Sequence, residues 1–148
     1  MSTYTQIIYQ IVFSTKDRSP IMIKDGRKRL NTYIWSLLEN KKCHPFMING
    51  VEDHIHIATS VHPTVALSNL IKDIKVSSSD FIKEEEIFPG FDNWQVGYGA
   101  FTYSIKEKEN LINYVINQEE HHKKESFRDE YIRLLEEHGI AFDEKYLF

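Results

Sequence analysis

The chain has 148 residues, of which 41% are hydrophobic and 27% are charged, with one cysteine and a net charge of −4. This size and composition favour a single globular domain over residues 1–148 and exclude a disordered or disulfide-stapled chain. No apolar run approaches the ~18 residues needed to cross a bilayer, and no basic segment precedes the first apolar stretch. We therefore expect a cytoplasmic protein with no membrane partner.

The charge is unevenly divided along the chain. Residues 1–83 carry 11 Lys and Arg against 7 Asp and Glu, a balance of +4, whereas residues 84–148 carry 7 against 15, a balance of −8. A polyanionic partner such as a nucleic acid would therefore meet the first part of the chain rather than the second.

Residue patterns in the first part of the chain predict strands and helices in alternation. β-Branched and aromatic residues favour strands, and apolar residues at intervals of three and four favour helices, the first of which Asp25 can cap. The predicted elements are a strand, a helix, two strands joined by a tight turn, and a helix, over residues 4–14, 26–41, 44–51, 53–61 and 63–84.

The second part predicts a loop, a glycine-interrupted strand and two helices, over residues 84–94, 96–104, 105–121 and 126–139. Ser104 and Glu107 form a capping-box pattern at the start of the third helix, and Ser126 and Gly139 delimit the last one. The order β α β β α β α α predicts an α+β sandwich, with a sheet of about four strands and helices on one face.

The segment VEDHIHIATS, residues 51–60, places two histidines in an otherwise apolar strand. Side chains alternate along a strand, so His54 and His56 share one face. Neutral imidazoles bind divalent metals through one ring nitrogen, and the pair therefore provides half of a metal site. In isolation, hydrogen-bonded structural histidines are the more common explanation. Asp53 either orients one imidazole from behind or is only a turn residue.

The predicted third helix carries a tyrosine and an amide one turn apart. Tyr114 and Gln118 share a helix face at the edge of the apolar stripe. A phenol oxygen can attack a phosphodiester and form a phosphotyrosine, while a divalent metal neutralises the developing charge. The Gln118 amide oxygen is a hard donor, so the predicted ligands of Mg²⁺ or Mn²⁺ are His54, His56 and Gln118.

Together these motifs resemble those of the HUH single-tyrosine transposases of insertion sequences and REP-associated elements. The H-hydrophobic-H motif is His54-Ile55-His56, and the Y-x-x-x-Q motif runs from Tyr114 to Gln118. Three further segments fit the family in the same order, namely IVFSTKDRSP, IKDIKVSSS and WQVGYGAFTYS. The resemblance implies a ferredoxin-like fold around a central antiparallel sheet, in agreement with the predicted order of elements.

The resemblance also implies an activity and a partner. Relatives cleave single-stranded DNA, keep the 5′ phosphate on the tyrosine and release a 3′ hydroxyl, and a 3′ hydroxyl later attacks the phosphotyrosine to rejoin a strand. They recognise a DNA hairpin, and some are homodimers in which the tyrosine acts in trans. We therefore expect a metal-dependent transposase, associated with the nucleoid when bound to DNA, in which Tyr114 is the nucleophile. Tyr98 and Tyr103 are rival phenols.

Further side chains are candidates for contacts with DNA. Charged and hydroxyl groups of the first part of the chain are the predicted phosphate contacts: Lys16, Arg18, Lys72, Lys75, Ser77 and Ser78. Tyr98 is a candidate for stacking on an unpaired base, and Trp94 is either a second one or a core residue. His121 lies one turn beyond Gln118, where it either approaches the metal or phosphate or binds the last carbonyls of its helix.

Two other functions fit parts of the pattern. A domesticated protein could keep the fold and bind a DNA hairpin without transposing, although a pure binder has no need of a nucleophile. A small metallohydrolase could combine the histidine pair with His121 or His122. Such an enzyme would prefer zinc and would not depend on Tyr114.

Overall fold

The computed structural model describes residues 1–148. Its strands and helices are, in chain order, β1 (Ile8–Ser14), α1 (Lys24–Asn40), β2 (His44–Gly50), β3 (His54–Ser60), α2 (Leu67–Glu84), β4 (Gly99–Tyr103), α3 (Lys108–Ile116), α4 (Gln118–His121) and α5 (Phe127–Glu137). The predicted order of elements is confirmed, except that the third helix is divided into two. None of the helices has the length and hydropathy that a membrane span requires.

The four strands form one antiparallel sheet in the order β2-β3-β1-β4. A ferredoxin-like βαββαβ chain produces this arrangement, so the predicted α+β class is confirmed. β1 lies in the interior of the sheet, between β3 and β4, and almost all of its residues are buried as a result. It pairs with β3 so that Val12 lies opposite His56 and Ile11 opposite Ile57, which fixes the face that each β3 side chain occupies.

Helices cover both faces of the sheet, so the prediction of helices on one face is wrong. On one face, Ile11 and Ile57 pack with residues of α1 and α2 in a cluster of 19 buried residues. On the other face, Val12 packs with Phe127 of α5, and Ala58 packs with residues of α3. The reason is that β1 is apolar at the successive positions Ile11, Val12 and Phe13, so neither face of this strand is suited to solvent.

Two predicted starts are wrong in the first half of the chain. β1 begins four residues later than predicted, at Ile8, because Ser60 ends β3 opposite this residue and offers no partner strand further out. α1 begins two residues earlier than predicted, at Lys24, so Asp25 lies inside its first turn instead of capping it.

Two further elements, α2 and β4, begin later in the structure than predicted. α2 begins four residues later than predicted, at Leu67, because the preceding segment forms a turn closed by a hydrogen bond from the Val65 N–H to the His62 carbonyl. β4 is limited to Gly99–Tyr103, which pair with Val12–Ile8, and Gly97 just before it has a φ of +94°, which is not a strand conformation.

The helix predicted over residues 105–121 is interrupted at Asn117. Its capping box, Ser104 with Glu107, forms as predicted and precedes α3. At the interruption, the side chain of Asn49 from β2 donates a hydrogen bond to the Ile116 carbonyl at 2.9 Å. This bond takes up a carbonyl at the end of α3 and ties that end to the sheet.

The hairpin turn that leads into β3 depends on the absence of a side chain at Gly50. A Cβ at this position would collide with the backbone carbonyl of His54. Gly50→Ala therefore forces the hairpin open, and we expect it to lower the free energy of unfolding by about 1–3 kcal/mol in a urea titration.

Gly139→Asn is the matched control for this substitution. Gly139 has open space around it and a φ of +67°, which Asn tolerates. Its free energy of unfolding should stay within about 0.5 kcal/mol of the wild-type value. A Gly50→Ala protein of wild-type stability would contradict the steric argument.

Candidate active site

His54 and His56 lie on the face of β3 that α3 and α5 cover, and both side chains are completely buried. Ile55 and Ile57 point into the layer of α1 and α2, as the alternation of a strand predicts. The centroids of the two imidazole rings are 5.2 Å apart. The strand thus brings two imidazoles into one buried cluster.

The orientation of His54 is set by two neighbours. Its Nδ1 lies 2.7 Å from Oδ1 of Asp53, and its ring stacks on Phe127 with centroids 4.1 Å apart. An ionised carboxylate can only accept a hydrogen bond, so Nδ1 carries the hydrogen and Nε2 faces the cluster. The structure therefore places Asp53 in the orienting position that the sequence suggested.

The orientation of His56 is set by a chain of polar side chains. Its Nδ1 lies 2.9 Å from the Gln10 amide of β1, and the other end of that amide accepts a hydrogen bond from the Tyr103 hydroxyl at 2.6 Å. The Tyr103 hydroxyl in turn lies 3.3 Å from Nε2 of His138. As a result, the Nε2 atom of His56 also faces the cluster.

Tyr114 and Gln118 reach the same cluster from the other side. Oε1 of Gln118 lies 3.3 Å from Nε2 of His54, and its amide nitrogen donates a hydrogen bond to Glu130 at 3.2 Å. The Tyr114 hydroxyl donates a hydrogen bond to Oε2 of Glu130 and accepts one from Nη2 of Arg133 at 2.8 Å. The two motifs found in the sequence therefore meet in space.

Glu130 of α5 joins these groups, although it belongs to neither sequence motif. Its side chain is completely buried. Its Oε1 lies 3.1, 3.0 and 2.9 Å from the Nε2 atoms of His54, His56 and His122. A single carboxylate oxygen thus occupies the centre of three imidazoles.

One signal in the sequence could have identified Glu130. It lies three residues after Phe127 and four before Leu134, so it falls on the apolar stripe of α5. A charged residue on such a stripe needs a buried partner. For His122 the sequence suggests only a place in a metallohydrolase site, and Arg133 carries no comparable signal.

His121 borders the cluster without entering it. Its Nε2 lies 2.5 Å from Oε1 of Glu125 and 3.2 Å from Nη2 of Arg133. The nearest oxygen of Glu130 is 3.6 Å away. The structure therefore places His121 in contact with the arginine that binds the tyrosine hydroxyl.

Burial and hydrogen bonding oppose each other on the ionisable groups. Burial alone would raise the pKa of Glu130, but hydrogen bonds from His122, His54 and His56 hold it well below its usual range. Burial lowers the pKa of His56 to about 4. It also acts to lower the pKa of His54, yet the Asp53 and Glu130 carboxylates outweigh it, so this pKa is raised. The Glu130 carboxylate consequently stays charged in the interior.

The cluster has the composition of a metal site. The ligand atoms of His54, His56, His122 and Glu130 all lie within 4.8 Å of one another. The Gln118 amide oxygen lies 3.1 Å from Nε2 of His122 and adds a fifth donor. Imidazole nitrogens combined with carboxylate and amide oxygens suit divalent transition metals. The residues therefore fit a divalent metal, with two more donors than the sequence predicted.

Lys16 and Arg18, two predicted phosphate contacts, follow β1 and are exposed. Lys16 pairs with Asp92 at 3.1 Å, and the Arg18 guanidinium lies 4.3 Å from the centre of the Phe148 ring. Arg18 and Asp53 line the same cleft, so this arginine lies close to the carboxylate that orients His54.

The candidates on α2 lie in the helical layer on the opposite face of the sheet from the cluster. Lys75 donates hydrogen bonds to the carbonyls of Gln95 and Gly97 at 2.8 and 2.5 Å. Ser78 is buried and accepts a hydrogen bond at 2.9 Å from Trp94, which is itself a core residue. Of the two remaining candidates on this helix, Lys72 is exposed and Ser77 is half-buried.

The two rival tyrosines lie elsewhere. Tyr103 binds Gln10, on the far side of His56 from Glu130. Tyr98 is 39% exposed and lines an apolar cleft. Of the three candidate phenols, Tyr114 is the one whose hydroxyl contacts the cluster.

Comparisons with known proteins show which family the chain belongs to. The family described as transposase IS200-like matches residues 3–118, and the chain belongs to that family. An inferred transposase from Deinococcus radiodurans R1 is 17% identical and has a TM-score of 0.63, over 80% of this chain and 95% of that one. A REP-associated tyrosine transposase bound to a REP hairpin is 14% identical and has a TM-score of 0.55, over 79% of this chain and 72% of that one. No curated protein matches the chain.

These matches confirm the resemblance to the HUH tyrosine transposases. They also bear on the new residues. The family match ends at Gln118, so His122, Glu130 and Arg133 all lie beyond it. The part of the cluster that the sequence analysis missed is thus contributed by the segment that the family description does not cover.

Gln10 provides a test of the polar chain behind His56. Gln10→Leu leaves the Tyr103 hydroxyl and the His56 Nδ1 without their partner in the interior, which costs about 1–3 kcal/mol. We expect a loss of stability of this size in thermal or urea unfolding. The same substitution at the exposed Gln6 should change stability by less than about 0.5 kcal/mol. Equal effects at both positions would contradict the structural role of the chain.

Proposed function

We propose that this protein cleaves and rejoins single-stranded DNA at the ends of a mobile element through a covalent 5′-phosphotyrosine on Tyr114. The observation that carries the proposal is the position of the Tyr114 hydroxyl. It contacts Glu130, whose other oxygen is surrounded by three imidazoles, so a tyrosine and a set of metal donors share one site.

His54, His56 and Gln118 would hold the metal, Mg²⁺ or Mn²⁺. When bound, this ion polarises the phosphate oxygens and neutralises the charge that develops on them. The protein's own contribution is to present imidazole nitrogens and an amide oxygen in a buried site from which bulk water is excluded.

Tyr114 is held for attack by two side chains. Its hydroxyl hydrogen points at Oε2 of Glu130, and Arg133 donates a hydrogen bond to the same phenol oxygen. Burial and the neighbouring Glu130 raise the pKa of this phenol, while Arg133 opposes the increase. A positively charged donor at 2.8 Å is therefore the group that stabilises the phenolate as its proton leaves.

In the cleavage step, a bond forms between the Tyr114 oxygen and phosphorus while the bond to the 3′ oxygen breaks. The phenol proton leaves by way of Oε2 of Glu130, and the 3′ oxygen takes up one proton in exchange and leaves as a 3′ hydroxyl. In the rejoining step, a 3′ hydroxyl attacks the phosphotyrosine and releases the tyrosine. The number of phosphodiester-type bonds is unchanged in each step, so no external energy source is required.

The DNA partner we propose is a single strand that carries a hairpin. Support comes from the positive balance of the first part of the chain and from the relative that is bound to a REP hairpin. The proposed contacts are Lys16, Arg18, Lys72, Lys75, Ser77 and Tyr98. The expectation for Ser78 is wrong, because its side chain is completely buried and its hydroxyl is bonded to Trp94. Asp53 and His121 are proposed as supports behind the ligands and the tyrosine. A homodimer remains part of the proposal, and the contact of Tyr114 with the histidine cluster of its own chain supports action in cis.

A covalent adduct is the direct test. Oligonucleotides from the DNA that flanks the gene are incubated with the protein and Mn²⁺, run on a denaturing gel and analysed by mass spectrometry. We expect an adduct on Tyr114 that is absent in Tyr114→Phe, because the nucleophilic oxygen is removed. Tyr4→Phe, at a side chain that is 90% exposed, is the matched control and should form the adduct normally.

The same experiment separates the alternative functions. An adduct that persists in Tyr114→Phe would contradict the proposal. Hairpin binding in a gel-shift assay without any adduct would favour a domesticated binding protein. The three imidazoles and one carboxylate are also donors that zinc accepts, which favours the metallohydrolase as the second candidate. That enzyme would hydrolyse its substrate equally well with Tyr114→Phe.

Arg133 gives a second prediction for the chemistry. Arg133→Met removes a charged donor from the oxygen on which negative charge develops, and one such donor contributes roughly 10²–10³-fold to a rate. We expect adduct formation under saturating DNA to slow by about 100-fold. Arg29→Met is the matched control, since Arg29 pairs with Glu85 on the surface of the other helical layer. Equal rates for both variants would show that Arg133 does not act on the phenol.

A further inference from the structure

His122 and Glu130 offer donor atoms that the ligand set of His54, His56 and Gln118 does not include. We propose that His122 and Glu130 bind the same ion, so that the helices after the tyrosine close the metal site and give it a preference for Mn²⁺ over Mg²⁺. The inference rests on the proposed metal site but is independent of the DNA chemistry.

The distances from Oε1 of Glu130 to the imidazole nitrogens are those of ligands that share one ion. Oε1 of Glu130 lies 3.1, 3.0 and 2.9 Å from the Nε2 atoms of His54, His56 and His122. Ligands that each lie about 2.1 Å from a metal are separated by about 3.0–3.5 Å in octahedral or tetrahedral arrangements. His122 and Glu130 therefore need little movement to join the two strand histidines as ligands.

The orientation of His54 and Gln118 also suits a bound ion. Asp53 takes the Nδ1 hydrogen of His54, so Nε2 is the ring nitrogen that is turned toward the cluster. Oε1 of Gln118 lies 3.3 Å from this Nε2, and the amide is held in this orientation because its nitrogen donates to Glu130. A nitrogen and an oxygen that ligate metals therefore lie side by side next to Glu130.

His56 can adopt the same state through Gln10. A metal-binding Nε2 requires the hydrogen on Nδ1, and the Gln10 amide can accept that hydrogen by presenting its oxygen instead of its nitrogen. The nitrogen then donates to the Tyr103 oxygen, and the Tyr103 hydroxyl donates to His138, 3.3 Å away. Every member of the chain keeps a partner, so the protein can accommodate the ligand form of His56.

The buried charge of Glu130 also favours a bound cation. Glu130 is completely buried, and an uncompensated carboxylate in the interior is strongly destabilising. The one side chain with a permanent positive charge near it, Arg133, binds the Tyr114 oxygen and two carboxylates outside the cluster. A divalent ion between the imidazoles would compensate Glu130 directly.

The donor set determines the metal preference. With only two histidines and an amide, most positions around the ion remain for water and phosphate oxygens, which suits Mg²⁺ well. Three imidazoles, a carboxylate and an amide leave few positions for water. Mg²⁺ gives up its water reluctantly, whereas Mn²⁺ accepts nitrogen ligands more readily. The larger set therefore selects Mn²⁺.

The test is the binding of Mn²⁺ alone, without DNA, to the full chain in isothermal titration calorimetry. We expect Glu130→Gln and His122→Gln each to weaken Mn²⁺ binding by at least about tenfold. His62→Gln is the matched control, because this exposed histidine binds Thr64 and no member of the cluster, and its affinity should match the wild type. Mg²⁺ should compete for the wild-type site only at a large excess.

A spectroscopic count of the imidazole nitrogens that coordinate Mn²⁺ in the wild-type protein tests the inference without depending on how any variant folds. Pulsed electron paramagnetic resonance of the wild-type protein with bound Mn²⁺ should detect three coordinated imidazoles, and His122→Gln should reduce the number to two. Two imidazoles in the wild type would overturn the inference. So would unchanged affinity in Glu130→Gln and His122→Gln while His54→Gln loses binding. If Mn²⁺ binds as expected but no DNA adduct forms, the inference is supported and only the proposed DNA chemistry fails.

Discussion

The buried carboxylate of Glu130 is the constraint on which the rest of the site depends. It is removed from water completely, and a charge in that position is tolerated only when every oxygen lone pair has a partner. The partners come from different parts of the chain: two from β3, one from the turn after α4, and the hydroxyl and amide of Tyr114 and Gln118. Satisfying this one group therefore fixes how α3, α4 and α5 lie against the sheet. The same contacts hold the nucleophile beside the candidate metal donors.

The sheet supplies the other half of the geometry through its register. A shift of β3 by one residue would exchange the faces of His54 and Ile55, and the imidazoles would point into the layer of α1 and α2. The turn at Gly50 and the pairing of Val12 with His56 prevent this exchange. The alternation of side chains along β3 therefore places the histidines in the layer of α3 and α5. It leaves the isoleucines to pack in the layer of α1 and α2.

The features that the sequence predicted are those that depend on local spacing. The common face of His54 and His56 follows from the period of a strand, and the common face of Tyr114 and Gln118 follows from the period of a helix. Glu130 could not be placed in the same way, because spacing along α5 does not tell where that helix docks. The interruption at Asn117 likewise depends on a bond from a different strand rather than on nearby residues. Non-local contacts account for most of what sequence patterns missed.

The separation of 74 residues between His56 and Glu130 has a consequence for the order in which the site assembles. A ribosome adds roughly 5–20 residues per second, so the histidine pair emerges several seconds before α5. During that interval β1, α1, β2 and β3 can begin to assemble, but the carboxylate that fills the centre of the cluster is still missing. The site therefore closes only after α5 has been added to the chain. A chain that stopped after the family-matched segment, at residue 118, would carry both sequence motifs and an open cluster.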